Sequence, residues 1–97
     1  MRIKFTTEAR SEIEEAARWY RERAGTRVRD LLRTELRRVQ KLLLEHPEIG
    51  APGVAEVRKI ALDRFPYSIV YRILGDELRI LAFMHHKRRP GYWRVRR

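Results

Sequence analysis

The first half of the chain carries apolar residues at intervals of three and four, the spacing of one face of an α-helix. The first such stripe covers residues 9–24, with Thr6 or Thr7 available as an N-cap before it and Gly25 just beyond it. The pattern predicts a first helix whose charged residues point to solvent. They include Glu12, Glu14, Glu15, Arg18 and Arg21.

A second stripe of the same spacing covers residues 28–43, with Thr26 as its candidate N-cap and Pro47 forbidding further extension. Because so few residues separate the two helices, they are predicted to pack as an antiparallel hairpin. Residues 46–53 are punctuated by Pro and Gly and are predicted to be a loop that returns the chain to a sheet.

Four other segments have the composition or alternation of β-strands: residues 2–5, 57–62, 67–74 and 78–84. Gly75-Asp76 predicts a tight hairpin between the last two. The order is strand, helix, helix and three-strand meander. It predicts an α+β fold in which the helical hairpin packs on a mainly antiparallel sheet, with residues 1–97 as one domain.

Alternation within the strand at residues 67–74 divides its side chains between two faces of the sheet. Tyr67, Ile69, Tyr71 and Ile73 share one face, whereas the intervening residues share the other. One set is expected to pack against the helices, and the tyrosines are expected to be core or cross-strand residues.

Composition narrows the possible functions. A hydrophobic fraction of 43% argues against disorder, and a net charge of +10 predicts a polyanionic or acidic partner. The absence of cysteine excludes disulfides and thiolate sites, and the motifs of nucleotide hydrolysis or metal-dependent nuclease chemistry are missing. We expect no metal and no cofactor. No apolar run is long enough to span a membrane, which favours a cytoplasmic protein.

The C-terminal segment concentrates positive charge, since six of the eleven residues from position 87 to position 97 are Lys or Arg. If that segment adjoins the strand carrying Arg58 and Lys59, it forms a basic platform flanked by Tyr92 and Trp93, a combination suited to phosphate contact and base stacking. His85 or His86 could act as an acid or base near neutral pH, although adjacent rings should diverge and not chelate one metal.

Two segments closely resemble the RelE/ParE superfamily of type II toxin–antitoxin toxins, also called plasmid stabilisation proteins. They are Arg64-Phe65-Pro66-Tyr67 continuing into Ile69-Val70-Tyr71-Arg72, and His85-His86-Lys87-Arg88-Arg89-Pro90-Gly91-Tyr92-Trp93. The helical hairpin stands in the matching place, so the resemblance runs nearly end to end. It implies a compact toxin that a cognate antitoxin wraps and neutralises.

The resemblance leaves the target open between two classes. RelE-like members cut messenger RNA on the ribosome with basic residues, and ParE-like members inhibit DNA gyrase without a known hydrolytic site. Lys59 matches the first of two RelE-like lysines, but Ala61 replaces the second and Ser68 stands at an arginine position. Losing one stabilising group at a reacting centre costs about 100–1,000-fold in rate, which favours the ParE-like interpretation.

Three functions follow from these residues. The first is a ParE-like gyrase poison, whose candidate target contacts are Lys87, Arg88, Arg89, Tyr92, Trp93 and Arg94. The second is a metal-independent, ribosome-dependent endoribonuclease (mRNA interferase) with candidate catalytic residues Lys59, His86, Arg88 and Tyr92, or His85 as the base. The third is a degenerate member that only binds its antitoxin. For the acidic, partly apolar antitoxin segment, the candidate contacts are Trp19, Arg33 and Arg37.

Overall fold

The computed structural model describes residues 1–89 and 91–96 of the chain. Its elements follow the predicted order, with one short strand and one turn of 3-10 helix (Val54–Glu56) in addition. They are β1 (Arg2–Phe5), α1 (Thr7–Ala24), α2 (Thr26–Glu45), β2 (Ala51–Pro52), β3 (Arg58–Ala61), β4 (Tyr67–Leu74) and β5 (Glu77–His85).

The strands form one five-stranded sheet in the order β1-β5-β4-β3-β2. The pairs β2–β3, β3–β4 and β4–β5 are antiparallel, and β1 runs parallel to β5 at the edge. The predicted α+β class, the meander and its turn at Gly75-Asp76 are confirmed. The helical hairpin covers one side of this sheet, and α1 packs against β5.

The helix ends are only partly as predicted. The Thr6 hydroxyl accepts a hydrogen bond from the Ala9 amide at 3.1 Å and is the N-cap of α1. The expectation that Thr26 caps α2 is wrong, because Thr26 is already helical and Gly25 holds the cap position. Gly25 has φ +93°, which glycine adopts without a Cβ penalty, so this single residue ends one helix and begins the next.

The predicted loop at residues 46–53 contains the short strand β2, which the sequence pattern did not show. Ala51 pairs with Lys59 and Pro52 with Arg58. A proline is tolerated there because β2 is the outermost strand, where one side of the backbone needs no partner. The loop is held from inside the core by Tyr71, whose hydroxyl donates to the Pro47 carbonyl at 2.6 Å and accepts from the Gly50 amide at 2.9 Å.

Both faces of the sheet are covered. On the first face, Ile69 and Tyr71 pack with the helices, as the alternation predicted. On the second face, the face opposite the helices, a smaller core holds residues of β4 and β5, the residue before β3 and one residue of the C-terminal segment. Its buried members are Val57, Val70, Leu81, Ala82, Met84 and Trp93.

A β-bulge in β5 contributes to the second core. Val70 pairs with Ala82 but the next residue, Tyr71, pairs with Ile80, which leaves Leu81 as the extra residue of β5. Leu81 and Ala82 therefore both belong to the core of the second face, although simple alternation would place them on opposite sides.

Gly50→Ala tests how tightly the loop is held. A Cβ at position 50 would lie 2.7 Å from the Tyr71 hydroxyl oxygen and 3.0 Å from the Lys59 carbonyl oxygen. We expect a loss of about 1–3 kcal/mol in the free energy of unfolding, measured by urea denaturation, because the buried tyrosine must move. Gly53→Ala is the matched control, since its Cβ would meet its nearest neighbours at 3.7 Å. Equal stability of the two variants would contradict this packing.

Candidate functional site

The carboxylate of Glu12 holds the C-terminal segment, which we call the tail, against the rest of the protein. It accepts hydrogen bonds from the Phe83 amide at 3.1 Å, the Tyr92 hydroxyl at 2.9 Å and Arg96 Nη1 at 2.8 Å. Its side chain is 13% exposed. The expectation that Glu12 points to solvent is therefore wrong. One feature of the sequence did indicate that Glu12 faces the protein: it stands three residues after Ala9 and four before Ala16, both of which are buried.

Glu12 is needed there because β1 is shorter than β5. The pairing of β1 ends at Phe5 and Ile80, so the outer backbone of β5 has no neighbouring strand beyond that point. The Thr6 hydroxyl donates to the Leu81 carbonyl at 3.1 Å, and Glu12 accepts from the Phe83 amide. Side chains thus satisfy backbone groups that would otherwise lie unpaired at a partly buried edge.

The ring of Tyr92 lies between two arginines beside Glu12. The Arg88 guanidinium lies 4.0 Å and that of Arg96 lies 4.9 Å from the ring centroid, close enough for cation–π attraction. Burial, the hydrogen bond to Glu12 and the charge of that carboxylate together raise the pKa of Tyr92 to about 12. At neutral pH the hydroxyl is therefore protonated and already donates to Glu12.

Trp93, expected to be a target contact at the surface, is only 2% exposed. Its ring covers the second face of the sheet, where Lys59 Nζ lies 5.7 Å from the ring centroid. The expectation of an exposed ring is wrong because Val57 and Val70 would otherwise present an apolar face to water. The C-terminal segment thus adjoins the strand that carries Lys59, which is the condition for the basic platform.

The two adjacent histidines have different surroundings. His86 Nε2 lies 3.1 Å from the Ser68 hydroxyl oxygen, at the end of the second face. The His85 ring packs edge-on against Tyr67 at 5.0 Å, and its Nδ1 accepts from the Lys87 amide at 3.0 Å. Among residues 1–89 and 91–96, no group of histidines and carboxylates is placed to hold a metal ion.

The four nuclease candidates make different contacts. Lys59, over the Trp93 ring, and His86, beside Ser68, belong to the second face, where Ala61 pairs directly with Ser68. Arg88 and Tyr92 lie around Glu12, at the edge next to α1, and Tyr92 also packs against the core of the second face. The positions that resemble RelE-like charged positions are thus neighbours in space, but they carry a methyl and a hydroxyl group.

The remaining target-contact candidates form the outer surface of the tail. Four cations are exposed: Lys87, Arg88, Arg89 and Arg94. Arg88 keeps 54% of its side chain exposed and is 3.9 Å from Glu12, so its charge is only weakly compensated. The tail therefore presents positive charge outward and aromatic rings inward.

An open groove of about 470 Å³ lies between α1 and the ends of β4 and β5. We call it the aromatic groove, and its lining is Glu12, Glu15, Ala16, Trp19, Tyr20, Pro66, Tyr67, Phe83, His85 and Arg88. Trp19 is 49% exposed at its margin. Of the other two antitoxin candidates, Arg33 lines a separate cleft between α1 and α2, and Arg37 lines neither.

Comparisons with known proteins agree with this architecture. A family model described as ParE toxin of type II toxin-antitoxin system, parDE, matches residues 3–90. A solved structure of the chromosomal ParDE TA system from P. aeruginosa superposes with a TM-score of 0.76 at 24% identity, covering 88% of this chain and 95% of that chain. Comparison with curated protein sequences finds no match. Neither helix within the described residues could cross a membrane.

Glu12→Gln should loosen the tail. The amide removes the charge that holds Arg96 and places an NH2 group where one oxygen now accepts. We expect a loss of about 2–4 kcal/mol in the free energy of unfolding, and an increase in the solvent exposure of Trp93. Fluorescence quenching by iodide in a Trp19→Phe background would report Trp93 alone. Glu15→Gln, an exposed change in the same groove, should alter neither quantity; similar effects of both changes would contradict the role of Glu12.

Proposed function

Because the chain belongs to the ParE toxin family of type II toxin–antitoxin systems, we propose that it inhibits growth by poisoning DNA gyrase and that a cognate antitoxin neutralises it. The observation that carries the proposal is that two of the nuclease candidates are already engaged by contacts within the protein. Tyr92 donates to Glu12, and Lys59 lies over the Trp93 ring. A binding poison needs no convergence of these groups.

Chemistry at a ribose phosphate would require groups that this arrangement does not supply. Catalysis of that kind depends on cations already aimed at the developing charge. Ala61 and Ser68 offer no charge on the second face, and the Lys59 ammonium lies over the Trp93 ring there. With its pKa raised to about 12, Tyr92 is also a poor proton donor at neutral pH. These features favour binding over cleavage.

The surface we assign to gyrase is the cationic exterior of the tail. Lys87, Arg89 and Arg94 are exposed and, within the described residues, have no carboxylate partner within 4.0 Å. Such groups are free to pair with acidic side chains or DNA phosphate in a gyrase complex. Tyr92 and Trp93 then act as anchors that orient the cations, with the half-buried edge of Tyr92 as the remaining aromatic contact.

We assign the aromatic groove to the antitoxin. Its exposed aromatic margin at Trp19 suits an apolar side chain of a wrapping segment, and aromatic anchors of this kind commonly dominate binding energy. The net charge of +10 should accelerate association with an acidic segment. The groove borders Arg88, so an antitoxin there would also cover part of the tail surface. This function places the protein in the cytoplasm, with gyrase.

Lys87→Gln combined with Arg89→Gln should weaken gyrase poisoning without changing stability. We expect about tenfold lower potency in assays of supercoiling and of trapped gyrase–DNA cleavage complexes, because two exposed cations leave the contact surface. Arg2→Gln combined with Arg27→Gln removes the same charge elsewhere and is the control. The purified protein should leave messenger RNA on programmed ribosomes uncut.

Two results would contradict the gyrase proposal. Ribosome-dependent RNA cleavage that disappears in Arg88→Ala would assign the nuclease function instead. If the folded protein binds its antitoxin but shows neither activity, it is a degenerate family member that only binds its antitoxin. Equal potency of the tail variant and its control would show that the tail cations do not contact gyrase.

Trp19→Ala should weaken binding of the cognate antitoxin about 10- to 100-fold, because it truncates an aromatic anchor. Leu44→Ala, which removes an apolar side chain of similar exposure, 45% against 49%, should have little effect. Surface plasmon resonance at several salt concentrations gives the affinity and tests whether the association rate falls as salt rises. An equal loss of affinity in both variants would show that the antitoxin does not bind specifically at the aromatic groove.

A further inference from the structure

A row of cations runs along the exposed side of α2. Arg29, Arg33, Arg37 and Lys41 follow one another at intervals of four residues, so they lie one above the other on one side of the helix. At a rise of 1.5 Å per residue the row is about 18 Å long. We call this row, together with Arg18 and Arg21 of α1, the arginine ridge.

The two α1 arginines meet the ridge across a cleft of about 210 Å³ between the helices. Its lining consists of Glu14, Ala17, Arg18, Arg21, Arg29 and Arg33. Four guanidinium groups thus face a space large enough for a hydrated phosphate group, with one carboxylate beside them. Like charges held this close repel one another, and a bound anion relieves that repulsion.

The acids nearest the ridge compensate only one of its charges. Glu14 lines the cleft but forms no ion pair within 4.0 Å among the described residues. Asp30 pairs with Arg29 at 3.0 Å. Glu35 points to the other side of α2, where it is buried and accepts hydrogen bonds from the amides of Asp63 and Arg64. Arg18, Arg21, Arg33, Arg37 and Lys41 form no ion pair within 4.0 Å in the part of the chain that the structure describes.

We propose that the arginine ridge binds the phosphate backbone of double-stranded DNA. One strand of a duplex presents a phosphate about every 3.4 Å along the axis, so a row of about 18 Å faces roughly five of them. Planar guanidinium groups suit bidentate contact with phosphate oxygens. The cleft lining has no aromatic ring, and single strands are held mainly by stacking on such rings, which argues for a duplex.

This inference goes beyond gyrase poisoning and does not depend on it, because the ridge lies on the helical hairpin and the proposed gyrase contacts lie on the tail. It gives Arg33 and Arg37 a different partner from the acidic antitoxin segment expected from the sequence. An 18 Å row of equally spaced cations fits the periodic charge of a duplex better than a few carboxylates of a peptide. The acidic peptide remains an alternative that the experiment distinguishes.

The test measures binding of the full-length toxin to a fluorescently labelled 16-base-pair DNA duplex by anisotropy, at salt concentrations from 50 to 200 mM. We expect Arg21→Gln/Arg33→Gln/Arg37→Gln to lower affinity more than tenfold and to reduce the slope of log affinity against log salt by roughly two to three, since each lost phosphate contact removes about 0.9. Replacing the same three residues by Lys should restore most of the slope, and circular dichroism verifies folding.

The control triple variant, Arg2→Gln/Arg27→Gln/Arg64→Gln, has the same net charge and should keep the slope within about one of the original. An equal loss in both triple variants would overturn the proposal, because net charge alone would then explain the binding. Tighter binding of the same-length RNA duplex or single strand would overturn the choice of DNA. Displacement of the duplex by poly-glutamate at equal charge concentration would assign the ridge to acidic peptides.

Discussion

The arrangement of the functional surfaces depends on one partly buried carboxylate. Glu12 satisfies the Phe83 amide on β5 and the side chains of Tyr92 and Arg96, which are separated from it by 71, 80 and 84 positions along the chain. A carboxylate in such a place is stable only when its oxygens are well supplied with donors. Glu12 therefore links the edge of the sheet to the tail, and each partner stabilises the charge that holds the other.

The tail in turn completes the sheet. A buried tryptophan removes roughly 200 Å² from water, a contribution of about 5 kcal/mol, whereas leaving its indole N–H without a partner costs about 1–3 kcal/mol. Among residues 1–89 and 91–96, Trp93 Nε1 has no hydrogen-bond partner, and the ring is nevertheless buried. Burial of the ring stabilises the fold by more than the missing hydrogen bond costs, so the tail is a structural element as well as a surface. The tail is therefore oriented with its aromatic rings toward the protein and its cations toward solvent.

Much of the fold could be predicted from the sequence because periodicity and local turn residues carry it. The helices, β4 and the hairpin at Gly75-Asp76 all depend on neighbours within a few positions. The strand β2 escaped prediction because its two residues are defined only by pairing with β3. Trp93 and Glu12 were misplaced for a related reason: a charged helix position and a charged tail look solvated until distant parts of the chain are brought together.

The site itself was less predictable than the fold, since it depends on which face of the sheet the tail covers. Resemblance to a superfamily identified Lys59, Arg88 and Tyr92, and His86 was added to them as a candidate base, but sequence order does not say which contacts these side chains make. Here Glu12 holds Arg88 and Tyr92 at the edge beside α1, while the Lys59 ammonium lies over the Trp93 ring. The contacts that fix the tail therefore also engage groups that cleavage would use. Under the proposed function, the fold holds the exposed cations of the tail in fixed positions, and a binding poison requires no more than that from its tail.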